Sequence, residues 1–193
     1  MDARAEARYS YDDSEWDGII VSTRMTGYQR AGDRNTLLLQ LDAAGGWRTR
    51  IPFQLQLGEA DAGVRGYIGV PYAGGQRAVV RLEDRLFGGT IRQHVAYGMA
   101  FFVNAGRVWA GDVPFGVTTP TKMGVGMALL AAFPAESKRT WRLEFAFPTT
   151  NDALHSVEIR FRTDVVFQLG SPEPRDVSSA RERAIPQPAF DFP

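Results

Sequence analysis

Three groups of residues have the types and spacing that could carry chemistry. The first is an acidic run that could bind Ca²⁺, formed by Asp12, Asp13, Glu15 and Asp17, although acidic residues beside a glycine are more often a plain turn. His94 and His155 lie on separate strands or loops, with no carboxylate or serine motif pointing to catalysis. Gly124-Val125-Gly126 lacks the strand-to-helix context of a phosphate loop. We therefore expect no catalytic site, no metal site and no cofactor.

Composition narrows the function classes further. The 193 residues are enough for one domain with a sizeable core. Lys and Arg number 22 and Asp and Glu number 22, so the basic excess of a general nucleic-acid binder is missing. The absence of Cys excludes disulfides, thiolate metal sites and Cys nucleophiles. No apolar run reaches the length of about 18 residues that a membrane helix needs, but a membrane β-strand needs only about 9 to 11 alternating residues.

Alternation of apolar and polar residues is the dominant pattern, and it predicts about nine strands and no convincing helix. The strands are expected near 3–11, 19–27, 36–44, 50–57, 77–86, 94–106, 122–131, 141–147 and 155–167, of which the first three have the weakest pattern. Residues 1–169 would form one all-β, antiparallel, up-and-down unit. The Pro-rich residues 170–193 would form an irregular tail.

Each predicted strand has one apolar and one polar face. The polar faces include charges of both signs on different strands: Arg77, Arg81, Glu83 and Arg85, then Arg142 and Glu144, then Glu158, Arg160, Arg162 and Asp164. Phe102, Asn104 and Gly106 share the corresponding face of 94–106. Such a face suits the wet lumen of a membrane barrel, although alternation alone also fits a soluble β-sandwich or a lipid-binding barrel.

The connections alternate in length, as they do in outer-membrane barrels, which have short periplasmic turns and longer extracellular loops. Counting back from the final strand places 28–35, 58–76, 107–121 and 149–155 outside the cell. The same count places 45–49, 88–93 and 134–140 in the periplasm. Aromatic residues near several strand ends fit the girdles of such a barrel.

Five motifs follow one another in a fixed order after the strand that ends at Leu57-Gly58. They are Val64-Arg65-Gly66-Tyr67, Glu83-Asp84-Arg85, Phe102-Val103-Asn104-Ala105-Gly106 with Arg107-Val108-Trp109, Gly124-Val125-Gly126, and Arg142 to Pro148. Their order and spacing resemble the C-terminal transmembrane barrel of the BamA/TamA/two-partner-secretion superfamily, the bacterial surface antigens. The resemblance covers most of the chain after residue 50 and reaches the first 45 residues only through strand rhythm.

The resemblance implies a role for the Val64-Arg65-Gly66-Tyr67 motif. In this family the loop folds back into the barrel, so Arg65 would contact the lumenal wall at Glu83 and Asn104, beside Arg85, Phe102 and Gly106. The family usually has Asp at position 104, and Asn cannot neutralise Arg65, so Glu83 would carry the pairing alone. Without the other motifs, Arg65 would be a solvated loop arginine, and Asn104 and Gly106 would mark a tight strand end.

Two departures from the family pattern bear on the size of the barrel. Barrels of this superfamily have about sixteen strands, and unpaired strand edges are not tolerated in lipid. The alternatives are a fragment, one chain of a split barrel completed by an upstream segment or a second chain, and a smaller closed barrel. The second departure is that 26 residues follow Phe167, the aromatic expected to close the last strand.

The expected function follows from the resemblance. The chain would be a non-enzymatic barrel in the bacterial outer membrane that assembles, inserts or translocates proteins, with the lipid bilayer and client or secreted proteins as partners and no nucleic acid. One alternative is the membrane-anchoring barrel of a patatin-like phospholipase. Another is a soluble β-sandwich or lipid-binding barrel.

Overall fold

The computed structural model describes residues 2–10, 15–48, 54–59, 62–92, 94–135, 140–149 and 157–164. Within these ranges it contains ten β-strands and no helix. The strands are β1 (Asp2–Ser10), β2 (Glu15–Arg30), β3 (Asn35–Trp47), β4 (Leu55–Gln56), β5 (Ala73–Gly74), β6 (Gln76–Ile91), β7 (Val95–Trp109), β8 (Lys122–Ala132), β9 (Thr140–Pro148) and β10 (Glu158–Asp164). The predicted all-β class is therefore confirmed.

Eight of these strands form one antiparallel sheet in the order β1-β2-β3-β6-β7-β8-β9-β10. Successive strands of the sheet pair with their neighbours along the chain, apart from the long connection between β3 and β6, so the predicted up-and-down order is observed. The sheet is open, with β1 and β10 at its edges among the described residues. Among those residues, no helix has the length and hydropathy to cross a bilayer. The predicted tail at 170–193 and Phe167 lie outside the described residues.

The strand predicted at 50–57 is not part of this sheet, so that prediction is wrong for its described residues. β3 pairs directly with β6, for example through Leu41 and Val80. Leu55 and Gln56 instead form a separate two-stranded sheet with β5. The sequence pattern misled because an apolar residue at every second position suits any extended segment with one buried side, whether or not it belongs to the main sheet.

This pairing also corrects two predicted positions of connections. The connections 31–34, 92–94 and 133–139 leave one end of the sheet, which we call the short-connection end. The connections 48–75, 110–121 and 149–157 leave the opposite end, the long-connection end. The turn near 28–35 therefore lies at the end of the short connections, and 45–49 leads into a long one. Both predictions were reversed because the count back from the last strand included 50–57 as a strand of this sheet.

The two faces of the sheet are as the alternation predicts, and the charged face is the buried one. The buried polar residues include Arg77, Arg81, Glu83, Asn104, Lys122, Arg142, Glu144, Glu158 and Arg160. The intervening apolar residues are exposed, such as Leu41 at 42 %, Phe101 at 47 % and Phe161 at 63 %. We call these the inner face and the outer face.

The inner face is concave and is covered by part of the β3–β6 connection. Glu83 on β6 and Arg142 on β9 hydrogen-bond although β7 and β8 lie between their strands, a separation of roughly 14 Å in a flat sheet. The residues that cover this face, 54–59 and 62–72, are the covering segment. Leu57, Val64 and Tyr67 of this segment are fully buried and form an apolar cluster with Val79 and Val108 of the sheet.

Candidate functional site

The backbone of the covering segment turns sharply before and after Arg65. The N–H of Val64 donates to the carbonyl of Leu57 at 2.6 Å, and the N–H of Gly63 donates to the carbonyl of Glu59 at 2.8 Å. A Cβ at position 63 would lie 2.3 Å from the backbone nitrogen of Glu59, so the turn requires glycine there. Gly66 has a φ of +97°, a conformation that residues with a side chain rarely adopt. These two glycines direct Arg65 toward the inner face.

The Arg65 side chain lies among two carboxylates and an aromatic ring. Its Nη1 donates to Oε2 of Glu83 at 3.0 Å, and its Nε lies 3.8 Å from Oε1 of Glu144. The guanidinium carbon is 4.3 Å from the centroid of the Phe102 ring, close enough for a cation–π contact. Three strands, β6, β7 and β9, therefore contribute to the Arg65 site.

One expectation about these partners needs correction, and another is made more specific. Glu83 was expected to neutralise Arg65 alone, yet Glu144 also reaches it. The expected contact with Asn104 is present, and its donor is the backbone: Oδ1 of Asn104 accepts a hydrogen bond from the N–H of Arg65 at 3.0 Å. Asn104 therefore fixes the backbone of the covering segment, and the carboxylates fix the Arg65 side chain.

Glu83 is the centre of a larger ionic network. Its two oxygens accept hydrogen bonds from Nη1 and Nη2 of Arg142 at 2.7 and 2.9 Å, a bidentate pair. Nε of Arg85 donates to Glu83 at 2.6 Å, and Nε of Arg142 donates to Glu144. Glu83 is only 1 % exposed, so its charge depends on these partners rather than on water.

The electrostatics of Arg65 follow from its burial. Removal from water lowers the pKa of its guanidinium, and the negative charges of Glu83 and Glu144 oppose that change. An arginine remains protonated in such a setting because its ordinary pKa is very high. Arg65 is thus a permanent cation whose attraction to the inner face depends on the carboxylates of Glu83 and Glu144.

Two glycines of the inner face leave space for the covering segment. A Cβ on Gly124 of β8 would lie 2.2 Å from the carbonyl oxygen of Arg65. A Cβ on Gly106 of β7 would lie 2.6 Å from Cγ2 of Val64. The Gly124-Val125-Gly126 motif therefore allows close backbone approach, since a methyl group at position 124 would displace the Arg65 backbone.

Glu158 on β10 holds the residues that follow Arg65. One of its oxygens, Oε2, accepts hydrogen bonds from the N–H groups of Gly66 at 2.7 Å and Ile68 at 3.1 Å. The hydroxyl of the fully buried Tyr67 donates to the carbonyl of Met123 on β8 at 3.0 Å. The whole Val64-Arg65-Gly66-Tyr67 motif is therefore bound to the inner face of the sheet.

Further arginines of the inner face bind backbone carbonyls of the covering segment. Arg77 donates to Gln56 at 2.7 Å, Arg81 to Gly63 at 2.5 Å, and Arg160 to Gly58 at 3.5 Å. These arginines, with Arg142, Glu144 and Glu158, were not predicted to contact the segment. Their common signal was visible in the sequence, because all of them lie on the same polar strand face as Glu83.

The arrangement can hold a polypeptide segment by ion pairs and hydrogen bonds that are reversible. Among the described residues, no group of three or more His, Cys, Asp and Glu side chains could hold a metal ion. His94 is exposed in the turn between β6 and β7. The acidic run at 12–17 and His155 fall on residues whose side chains the structure does not describe.

The comparisons with known proteins identify no relative. No family model matches the chain, and no curated protein or solved structure matches it either.

Proposed function

We propose that this chain forms part of the wall of a β-barrel in the bacterial outer membrane, which assembles, inserts or translocates proteins. In this proposal the covering segment occupies the lumen and Arg65 holds it against the wall. The observation that carries the proposal is the sheet itself, whose charged face is buried and whose apolar face is exposed. The motif resemblance supports the protein-transport role.

The burial pattern favours a membrane sheet over a soluble one. A soluble β-sandwich buries its apolar strand faces against each other and exposes its polar faces. Here Leu41, Phe101 and Leu129 are between 42 and 47 % exposed on the outer face, whereas Glu83 and Glu144 are 1 % exposed. Lipid chains can cover such an outer face, and an ion-paired inner face is compatible with a lumen.

Aromatic side chains near both ends of the sheet also support a membrane location. Trp47 and Trp109 end strands at the long-connection end, and Tyr97 and Trp141 lie near the short-connection end. From Tyr97 to Trp109 the strand advances roughly 40 Å. A strand tilt of about 40° would reduce this to roughly 30 Å along the membrane normal, comparable to an apolar band of about 25 Å with its flanking girdles.

The proposal requires partners for the sheet edges. Unpaired strand edges in lipid cost several kcal/mol for each exposed backbone group. In a membrane, β1 and β10 would therefore pair with further strands, supplied by another segment or a second chain. Opening of such a seam would give clients access to the lumen.

Membrane location is tested by fractionation and by gel migration. We expect the full chain to separate with the outer membrane, to require detergent for extraction, and to migrate differently before and after boiling. Recovery as a monomer without detergent would overturn the proposal.

The role of Arg65 is tested with Arg65→Ala. We expect the variant to fold and reach the membrane, but to lose about tenfold or more of assembly or secretion activity, because a hydrogen-bonded ion pair that holds the segment is gone. The assay follows the appearance of folded outer-membrane proteins or secreted protein in cells that depend on this chain.

Arg34→Ala serves as a matched control, since Arg34 is exposed in the 31–34 turn. Unchanged activity of Arg65→Ala, at an unchanged membrane level, would contradict the proposed role of the segment.

A further inference from the structure

A shallow apolar groove lies on the outer face near the long-connection end of the sheet. Its volume is about 560 Å³. The floor is a row of small side chains that are neighbours in register across three strands, Thr23 on β2, Ala43 on β3 and Ala78 on β6. The next row contains the larger side chains Met25, Leu41 and Val80 and ends on β7 at the small Ala105. The groove therefore results from a change in side-chain size between adjacent rows.

Arg107 closes this groove at its β7 end. It is the register neighbour of Ala78, so it continues the row of small residues. On β7 it lies on the outer face with Phe101 and Ala105, which alternate with the buried Phe102 and Asn104. A guanidinium at this position is unexpected in an apolar surface.

The environment of Arg107 differs from that of the inner-face arginines. Its guanidinium carbon lies 5.3 Å from the centroid of the Trp109 ring. Its Nε is buried and has no hydrogen-bond partner, and no carboxylate pairs with it within the described part of the chain. Arg65, in contrast, has acceptors on the wall. Arg107 is thus a cation that is held in place without an anion.

We propose that this groove binds an anionic lipid, with its phosphate group at Arg107 and an acyl chain along Thr23, Ala43 and Ala78. The inference rests on the proposed membrane location. A guanidinium provides charge-assisted, often bidentate, hydrogen bonds to phosphate, and a neighbouring Trp is typical of the headgroup level of a bilayer. The apolar groove can also bind an acyl chain, which a lipid has and free phosphate lacks.

The lipid is assigned to one leaflet by the position of the groove. Arg107 and Trp109 are at the end of β7 where the long connections leave the sheet. Long connections are extracellular in outer-membrane barrels. The bound lipid would therefore be a phosphorylated lipid of the outer leaflet.

Lipid titration of the full chain in detergent micelles tests this inference. The probes are dioleoyl phosphatidic acid and dioleoyl phosphatidylcholine, which have the same chains and differ in headgroup charge, and bound lipid is counted by native mass spectrometry. We expect the wild type to prefer phosphatidic acid by at least about tenfold, because its phosphate is not neutralised within the lipid. Arg107→Gln should reduce the preference to about twofold or less, whereas Arg34→Gln, at the opposite end of the sheet, should retain it.

The groove is tested separately from the charge with Ala78→Leu. This substitution fills the row of small residues on the outer face, and it should weaken the binding of both lipids by a similar factor. Equal lipid preference in Arg107→Gln and the wild type would overturn the inference. Complete competition by inorganic phosphate would also overturn it, because the site would then bind a free anion.

Insertion of the same proteins into lipid vesicles separates this inference from the proposed function. Normal insertion together with a lipid preference that does not depend on Arg107 would defeat the lipid site alone. Absence of the wild type from the outer-membrane fraction of cells would defeat the membrane location, and the lipid site with it.

Discussion

At the residue scale, Glu83 is the charge on which the Arg65 site depends. It accepts hydrogen bonds from Arg65, Arg85 and Arg142, which come from the covering segment and from strands β6 and β9. A buried ion pair contributes little when it is compared with an apolar pair, but removal of one partner leaves the others uncompensated. The site is therefore sensitive to loss of a single carboxylate.

Glu83→Gln should destabilise the protein by about 3 kcal/mol, since three guanidinium groups lose a shared negative charge in a buried setting. Urea unfolding of the detergent-solubilised protein measures the change. Glu59→Gln is the matched control, because Glu59 pairs with Arg77 but is 48 % exposed and should cost less than about 1 kcal/mol. A similar cost for both variants would argue against the central role of Glu83.

Asn104 is the position at which the motifs of the sequence led us to expect Asp. Its Oδ1 accepts the Arg65 N–H, while its Nδ2 is buried and has no hydrogen-bond partner among the described residues. Four arginines surround the site, Arg65, Arg81, Arg85 and Arg142, against the carboxylates of Glu83 and Glu144. The site therefore has an excess of positive charge.

Asn104→Asp should stabilise the protein by about 1 kcal/mol, because a carboxylate keeps the acceptor, removes the unpaired amide and balances the charge. The midpoint of urea unfolding should rise. Asn35→Asp, at the start of β3, provides the same chemical change away from the site and should alter the midpoint little. A lower midpoint for Asn104→Asp would mean that the amide nitrogen is needed.

At the scale of elements, the sequence predicted the sheet strands well and the covering segment only in part. The alternation in β6 to β10 identified the strands and their faces, since each has charged residues on one side and apolar residues on the other. The same alternation in 50–57 indicated a wall strand, and the structure has β3 beside β6 instead. Local periodicity reports that one side of a segment is buried, but it does not report what buries it.

Some contacts of the Arg65 site could be predicted from the sequence, and others could not. The pairing of Arg65 with Glu83 was expected from the family resemblance, because two motifs pointed to it. The hydrogen bonds from Gly66 and Ile68 to Glu158 join parts of the chain about ninety residues apart, and the donors are backbone groups that every residue type carries. No residue pattern distinguishes such a donor before the fold is known.

The covering segment should be displaced by a single methyl group on the wall. Gly124→Ala would place a Cβ 2.2 Å from the Arg65 carbonyl, so the segment must move. The N–H groups of Gly66 and Ile68 donate hydrogen bonds to Glu158 in the wild type. In the variant, their protons should exchange with solvent about tenfold faster or more. Hydrogen exchange measured by mass spectrometry reports this change.

Gly27→Ala on β2 is the control for this substitution, since the nearest atom to its added Cβ is 4.0 Å away. It should leave the exchange of Gly66 and Ile68 unchanged. If the two alanine variants exchange alike, the close approach of the segment to β8 is not what protects these amides.

At the scale of the whole molecule, the exposed apolar residues of the outer face provide a test of the proposed membrane location. Phe101 lies in the middle of β7 on the outer face, and Ile91 is exposed at the end of β6. If the outer face were in water, an arginine at either position would change the free energy of unfolding little. In a bilayer, an arginine destabilises the protein strongly at the midplane and only weakly near the interface.

Phe101→Arg should therefore reduce the stability of the vesicle-inserted protein by about 2 to 4 kcal/mol, and Ile91→Arg by about 1 kcal/mol or less. Folding into vesicles across a urea series provides the measurement. Equal effects of the two substitutions would indicate an outer face that is in water.

The covering segment also has a consequence for ion permeation. Leu57, Val64 and Tyr67 are fully buried against the inner face, so the space beside them is filled with apolar side chains rather than water. Ions do not cross a dry apolar constriction readily. In the proposed barrel, the segment would therefore block ion flow past this part of the inner face while Arg65 is paired, and a substrate that enters there would first displace it.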